Sequence, residues 1–375
     1  MTSNKLPMLG RCLVRWGGPE GLSRQFAGNF VRFSSNTARK SSSPLKLTLK
    51  GMGIGLVLGT GYAGYTFVTE SNPKAHLVNE KEELFFLESF PNVKLTRRIV
   101  NPEDKSGLKI TLFQYQTCPF CCKVRAFLDY HGISYDIVEV DAVLRQDIKW
   151  SPSKKVPTML IKTDKGFLQL TDSSMIVSVL SSFLRDTKQD IVELASFYPN
   201  ISFIDESGKK KADIMNKYFL MFKDGTPRSM TKEILEEERK WRTWADNHLV
   251  HLISPNVYRT RQEALETFEW FSEVGEWSEH FPQWERNLMV YMGAAAMWLI
   301  AKRLKKRHDL SDDVRGHIYD ALDKWVEVVE KKKSPFFGGK KPNLADLAVF
   351  GVLSSMEGCQ AFVDCLENTR VAGWF

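Results

Sequence analysis

The chain has 375 residues, 43% hydrophobic, 12% aromatic and 26% charged. That composition excludes a disordered, collagen-like or mostly membrane-embedded protein, and at ~100–200 residues per domain it implies two folded units plus extras. The net charge of +7 sits almost wholly in residues 1–50, where nine Lys or Arg face one acid, Glu20. The remainder is therefore close to neutral, has no basic field with which to neutralise phosphates, and no nucleic-acid partner is expected. Six cysteines in so long a chain are too sparse for a secreted disulfide scaffold, which leaves redox, nucleophilic or metal chemistry for them.

In chain order, residues 1–50 form a basic leader, Arg- and Ser-rich and nearly free of acids, with the composition of a mitochondrial transit peptide. Residues 51–69, GMGIGLVLGTGYAGYTFVT, carry no charge and as a helix would reach ~28 Å, near the thickness of a bilayer core. Gly51, Gly55 and Gly59 suit close packing in a membrane helix, so the span reads as a single anchor, with a Gly-rich linker as the alternative. The positive-inside rule then puts the leader on the cytoplasmic or matrix side. Residues 70–99 are a polar linker and lead-in. Over 100–190 the pattern alternates strand and helix: LKITLFQY is a strand, CCKVRAFLDYHG a helix closed by Gly132, ISYDIVEV a second strand, PTMLIK and GFLQLT a hairpin, and DSSMIVSVLSSFL a last helix. Residues 191–230, with DESGKKKAD, read as a polar surface excursion. From 231 to 375 the period is helical, clearest at 231–253, 287–308, 311–332 and 343–358. The order β-α-β, loop, β-β-α followed by helices is that of an α/β thioredoxin-like domain joined to an all-α one.

The chemistry concentrates at Gln114-Tyr115-Gln116-Thr117-Cys118-Pro119-Phe120-Cys121, where a strand gives way to a helix. Cys118 at the helix N-terminus meets the positive end of the macrodipole and free backbone N–H groups, which favour its thiolate and make it nucleophilic. Cys121, one turn on, can resolve a bond to Cys118. A buried apolar cysteine pair is the bland alternative. A structural zinc site would need four ligands, and Cys359 and Cys365 have the wrong separation to supply the second pair. Val156-Pro157 begins a strand after a polar loop, the place of a cis-proline beside a redox cysteine. Asp172 and Ser173 open the next helix and can cap it or hold a charged ligand end. Asn343 and Asp346 have the spacing of a capping box.

Together these residues resemble the glutathione-handling members of the thioredoxin superfamily, with a glutathione-transferase-like helical domain at the C-terminus. The resemblance implies that the backbone of Val156, before Pro157, pairs with the cysteinyl part of glutathione and that Asp172 and Ser173 hold its γ-glutamyl end. More narrowly, the Gly-rich span with QYQTCPFCCKVRAFLDYHGI, KVPTML, LTDSSMI, WADNHLVHLISPNVYRT, YMGAAAMWLIAKRLKKRH and GGKKPNLADLAVFGVL resembles the membrane-associated prostaglandin E synthase 2 family. That resemblance implies a homodimer that binds glutathione and can bind haem, and isomerisation of prostaglandin H2 to prostaglandin E2. It also implies a single-pass Golgi-membrane precursor processed to a soluble cytoplasmic form, whereas the leader's composition points to the mitochondrion. The vicinal Cys122 departs from the family motif and reads as a buried helix position.

In the reaction so implied, the thiolate of Cys118, or of glutathione beside it, attacks the endoperoxide oxygen, and Tyr115, three residues earlier, is a candidate to orient the thiol or the leaving oxygen. The apolar substrate needs a trough, for which Trp241, Trp244, Tyr258, Tyr291, Met292 and Trp298 are available, though each also suits a core. His248 and His251 share a helix face at metal-ligand spacing, but without further convergent ligands they read as surface or capping residues, and no metal site is expected. For haem, which only the resemblance implies, these histidines and the i, i+4 pair Arg303 and Arg307 are the candidates, the arginines as a clamp for propionates. Two rival readings stay open: a glutaredoxin-like thiol-disulfide oxidoreductase, and a haem or glutathione carrier without turnover.

Overall fold

Residues 76–82, 84–142, 144–204, 210–221, 231–307 and 313–375 are described in the computed structural model. The basic leader and the expected anchor at 51–69 lie outside them. Among the described residues no helix is long and apolar enough to cross a membrane. The strands are β1 (His76–Glu82), β2 (Phe86–Leu87), β3 (Arg97–Ile99), β4 (Ile110–Gln114), β5 (Tyr135–Glu139), β6 (Thr158–Thr163), β7 (Gly166–Thr171), β8 (Asn200–Ile204) and β9 (Lys210–Ile214). The first helices are α1 (Pro119–Tyr130), α2 (Ser173–Arg185) and α3 (Ile191–Ser196).

β4, the run ITLFQ, is buried at every position, as a strand in the middle of a covered sheet must be. It sits between β6 and β5 in a six-stranded sheet of order β2-β7-β6-β4-β5-β3. β4 and β5 are parallel and joined across the sheet by α1, while β6 and β7 form an antiparallel hairpin in which Thr158 pairs with Thr171. α1 starts with Pro119 at its first turn after an extended Cys118 and ends at Gly132, which has φ +66°. Proline with its φ preset and glycine in the left-handed region are the usual start and stop of such a helix.

The stretch read as a surface excursion differs from that expectation. It carries α3, β8 and β9, and β8 pairs antiparallel with both β9 and β1 to make a second, three-stranded sheet. The polarity of DESGKKKAD hides this, because strands with a solvated face have the composition of a loop. Tyr198, between α3 and β8, is only 1% exposed and anchors the segment on the main core.

The C-terminal half contains α4 (Lys232–Trp244), α5 (Val250–Val257), α6 (Arg261–Val274), α7 (Trp277–His280), α8 (Gln283–Arg307), α9 (Val314–Lys331), α10 (Leu344–Ser354) and α11 (Gln360–Asn368). The helix expected over 231–253 is broken by a π-type turn at Ala245–Leu249, which rotates the residues after it relative to α4. The core centres on Trp325, fully buried, with ring contacts at 5.4 Å to Trp241 and Trp374 and 5.7 Å to Phe337. α8 lies so close to α6 that a Cβ on Gly293 would stand 2.4 Å from the Phe268 ring, so Gly293-Ala294-Ala295-Ala296 serves close packing.

The two halves share a wall. α10 crosses α1 where a Cβ on Gly351 would meet the Lys123 Cα at 2.5 Å. Leu344 and Leu347 of α10 join the sheet core, and Phe120 of α1 packs on the helical core. Buried Lys123 pairs with Asp246 of the π-type turn, and buried Arg242 donates to Ser174 O (3.1 Å) and Ser178 Oγ (2.8 Å). Polar groups this deep are tolerated because each finds a partner.

Candidate active site

Three chain segments meet at one end of the main sheet. β4 delivers Tyr115 and, after a turn, Cys118, whose amide donates to Tyr115 O (3.1 Å). β6 pairs antiparallel with β4 up to Phe113 and Thr158, and continuing that register sets Pro157 beside Gln114 and Val156 beside Tyr115. The Val156–Pro157 bond is cis. β7 ends at Thr171 opposite Thr158, so Asp172 and Ser173 open α2 at the same edge. Cys118, Tyr115, Val156, Pro157, Asp172 and Ser173 thus converge from distant parts of the sequence.

Cys118 is half-buried, while Cys121 and Cys122 are buried. Its thiol is held below the ordinary range chiefly because the Cys121 S–H donates to it. The backbone N–H groups of Cys121 and Phe120 and the charge of Arg125 act in the same direction, against the opposing cost of burial. Cys121 goes the other way: burial and its role as donor push it well above the usual thiol value. Burial likewise pushes Cys122 up to about 12. The arrangement therefore makes one reactive sulfur, backed by a protonated neighbour one turn away. Burial raises Tyr115 to about 12, with the Cys118 charge adding to the shift, so it faces the thiolate as a neutral phenol.

Arg125 was not singled out by the sequence. It is 2% exposed and its guanidinium donates to Gln114 Oε1, to Gln116 O and, at 2.9 Å, to Cys122 Sγ. Gln116 closes the network: its amide donates to Glu139 Oε1 (2.5 Å), and its side-chain oxygen accepts from Gln114 (2.9 Å) and Arg97 (2.6 Å). This buried cluster fixes the Tyr115–Cys118 turn from below and sets a permanent cation under the thiolate.

At α2, Asp172 Oδ1 accepts from Ser174 N (2.8 Å) and Met175 N (3.1 Å), leaving the Ser173 N–H at the open end of the helix. Asp172 Oδ2 lies 3.7 Å from Lys217 Nζ. Ser173 Oγ accepts from Lys123 Nζ (3.2 Å), which also donates to Ser174 Oγ (3.1 Å) and Asp246. A carboxylate, an unspent backbone donor and a cis-proline strand edge match the chemistry of a peptide with one ammonium and two carboxylate ends, so the residues present fit glutathione.

The glutaredoxin family profile matches residues 110–164. Prostaglandin E synthase 2 of Danio rerio is 42% identical over 89% of this chain and 82% of its own length. Prostaglandin E synthase 2 of Mus musculus is 47% identical over 72% of this chain and 69% of its own length. The chain belongs to the prostaglandin E synthase 2 family. Among solved structures, a Tau class glutathione S-transferase from mango aligns over 71% of this chain and 86% of its own at 15% identity and a TM-score of 0.35, too distant to argue from.

In this prostaglandin E synthase 2 homologue the aromatic residues expected to line a trough divide. Trp241 packs edge-on against Trp325 in the core and half-buried Trp244 stacks on Trp325, Tyr291 and Met292 are exposed on α8, and Trp298 is flanked by Arg261 and Lys302 at 4.5 and 4.0 Å. Tyr258 is buried in the helical core beside Phe268, and burial pushes its hydroxyl up. Glu357, in the turn after α10, is a residue the sequence did not flag; burial raises its carboxyl to about 7 beside Arg125. His248 projects from the π-type turn with its ring 5.8 Å from Trp244, and His251 is half-buried in α5. Arg303 and Arg307 are exposed at the end of α8, which packs on α5, and make no ion pair among the described residues. They fit the propionate clamp; the iron's ligand is not among them.

Proposed function

We propose that this chain is an isomerase that converts prostaglandin H2 to prostaglandin E2 through the Cys118 thiolate, with glutathione held beside it by Val156, Pro157, Asp172 and Ser173. The observation that carries the reading is a half-buried Cys118 whose thiol is held low by the Cys121 hydrogen bond, in a chain 42–47% identical to proteins of that name. Isomerisation transfers no net electrons, so the sulfur must be returned unchanged. The thiolate attacks the endoperoxide oxygen on the carbon that becomes the ketone. The S–O bond forms, the O–O bond breaks, and its electron pair leaves on the other oxygen, which takes a proton. Loss of the carbon-bound hydrogen as a proton forms the C=O bond and sends the S–O pair back to sulfur. Bound glutathione would supply a second thiol at this edge of the sheet.

Arg303 and Arg307 are proposed to clamp the propionates of haem, with His248 and His251 as further candidates to contact it. Haem would bring redox-active iron, and the haem-bound state is proposed to differ in activity. The exposed apolar residues Trp284, Tyr291 and Leu299 along α8 support a homodimer. A Golgi-membrane, single-pass precursor with a processed soluble form belongs to the same proposal and rests on the resemblance and on the composition of residues 1–69.

The second reading, a dithiol oxidoreductase, draws on the Cys121 thiol poised against Cys118. One comparison separates the two. Given prostaglandin endoperoxide and glutathione, haem-free Cys118→Ser should lose isomerase turnover by roughly 10³-fold, while Cys121→Ser retains most of it. Equal loss in both variants supports the oxidoreductase; full activity in Cys118→Ser rules out the sulfur as nucleophile.

A further inference from the structure

The segment that carries β8 and β9, polar enough to pass for a surface loop, returns to the edge of the main sheet where α2 begins. After β9 the chain turns at Asn216, whose φ of +61° lies in the left-handed region and whose side chain donates to Phe197 O (2.9 Å). The next three residues are each held at the carbonyl by a buried side chain from another element. Ser178 Oγ of α2 donates to Lys217 O (2.7 Å), Arg242 of α4 to Tyr218 O (3.1 Å), and the Tyr198 hydroxyl to Phe219 O (2.7 Å). The Tyr218 hydroxyl donates in turn to Asp246 Oδ2 (2.9 Å), on the carboxylate that pairs with Lys123. A strap bonded at three successive carbonyls keeps its side chains in place.

Lys217 is the side chain so placed. Its ammonium lies 3.7 Å from Asp172 Oδ2 and donates to Asp213 Oδ1 at 2.8 Å, and its side chain is 23% exposed. Asp172 caps α2 through its other oxygen, Oδ1. The open end of α2 therefore carries the Asp172 carboxylate, the Ser173 N–H and a lysine delivered from outside the thioredoxin-like pattern. An ammonium has three donors. Among the described residues two acids flank it, and one donor is left for an incoming anion.

A γ-glutamyl end bears an ammonium and a carboxylate on one carbon. Asp172 attracts the first and repels the second, and the Ser173 N–H offers the carboxylate only one donor with a partial charge. Lys217 adds a full positive charge beside both. We propose that Lys217 determines specificity for the γ-glutamyl end by receiving its α-carboxylate, while Asp172 receives the α-ammonium. This rests on the glutathione reading above and deepens it: the edge reads both charges of the α-amino acid group rather than the ammonium alone.

Calorimetric titration of the reduced full-length chain with two ligands tests this. S-methylglutathione carries the α-carboxylate and cannot enter thiol exchange. Its analogue with a γ-aminobutyryl group in place of γ-glutamyl keeps the ammonium and lacks only that carboxylate. The wild-type chain should bind S-methylglutathione the more tightly by about tenfold or more. In Lys217→Met that preference should shrink to about threefold or less, through weaker binding of S-methylglutathione, while the analogue binds at least as well as before. Lys217→Arg keeps the charge and should retain most of the preference. An equal weakening of both ligands in Lys217→Met, or an unchanged preference, overturns the role of Lys217 and leaves the glutathione reading standing. A wild-type chain that binds both ligands alike does the same. A wild-type chain that binds neither refutes the glutathione reading, and the role of Lys217 with it.

Discussion

Four of the described cysteines are buried and one is half-exposed, and the difference in their chemistry follows from what surrounds each sulfur. Cys122, Cys359 and Cys365 are all pushed up to about 12 by burial, so they stay thiols at neutral pH, whereas Cys118 is held below the ordinary range by the Cys121 hydrogen bond. The helix-start position of Cys118 was legible from the strand-to-helix transition and from Pro119. Arg125 was not, because a basic residue two turns into an amphipathic helix looks solvated until Gln114, Gln116 and Glu139 are seen to enclose it. Glu357 was hidden for the same reason. Burial raises it from 4.5 to about 7, so between those values the folded state holds a proton that the unfolded chain has released. Stability therefore falls as the pH rises through this interval, and the full cost is present above it. Glu357→Gln should stabilise the protein by about 1–2 kcal/mol at pH 8, a gain that shrinks as the pH approaches 4.5. Urea unfolding at a series of pH values measures it; a gain independent of pH would contradict the assignment.

Among the elements, α1 is the one on which the site turns, and α10 holds it in place. α10 is fixed at its start by a capping box: Asn343 Oδ1 accepts from Ala345 N and Asp346 N, and Asp346 returns a bond to Asn343 N at 3.0 Å. This much was legible from Asn343 and Asp346 alone. The role of Gly351 was not, since a glycine inside an apolar helix gives no sign of what lies against it. Here it admits the α1 backbone, with the Lys123 amide nitrogen 2.7 Å from where a Cβ would stand. Gly351→Ala must separate the two helices and is expected to cost about 1–3 kcal/mol, shifting α1 and slowing alkylation of Cys118. Alkylation at the wild-type rate in a destabilised variant would show that α10 supports the fold without placing the sulfur. β8 was missed because its pairing with β1 joins segments more than a hundred residues apart, and β9, which pairs with β8, because its largely solvated, charged residues have the composition of a loop.

For the whole molecule, the sheet half makes the nucleophile and the helical half packs on the helix that carries it, with Lys123, Asp246 and Arg242 joining them through buried polar bonds. Periodicity alone gave the division into an α/β half and an all-α half; the pairing of Lys123 with Asp246 needed the tertiary structure, because the partners are far apart in sequence and each resembles an ordinary surface charge. The account stands on a sulfur at position 118 that is both ionised and reachable near neutral pH. Its most direct test is the rate at which iodoacetamide modifies Cys118 in the reduced full-length chain, followed across pH. The expected profile rises to a plateau with a midpoint below the ordinary thiol value of about 8.5. A midpoint at or above that value, or a sulfur that resists alkylation throughout, would contradict it.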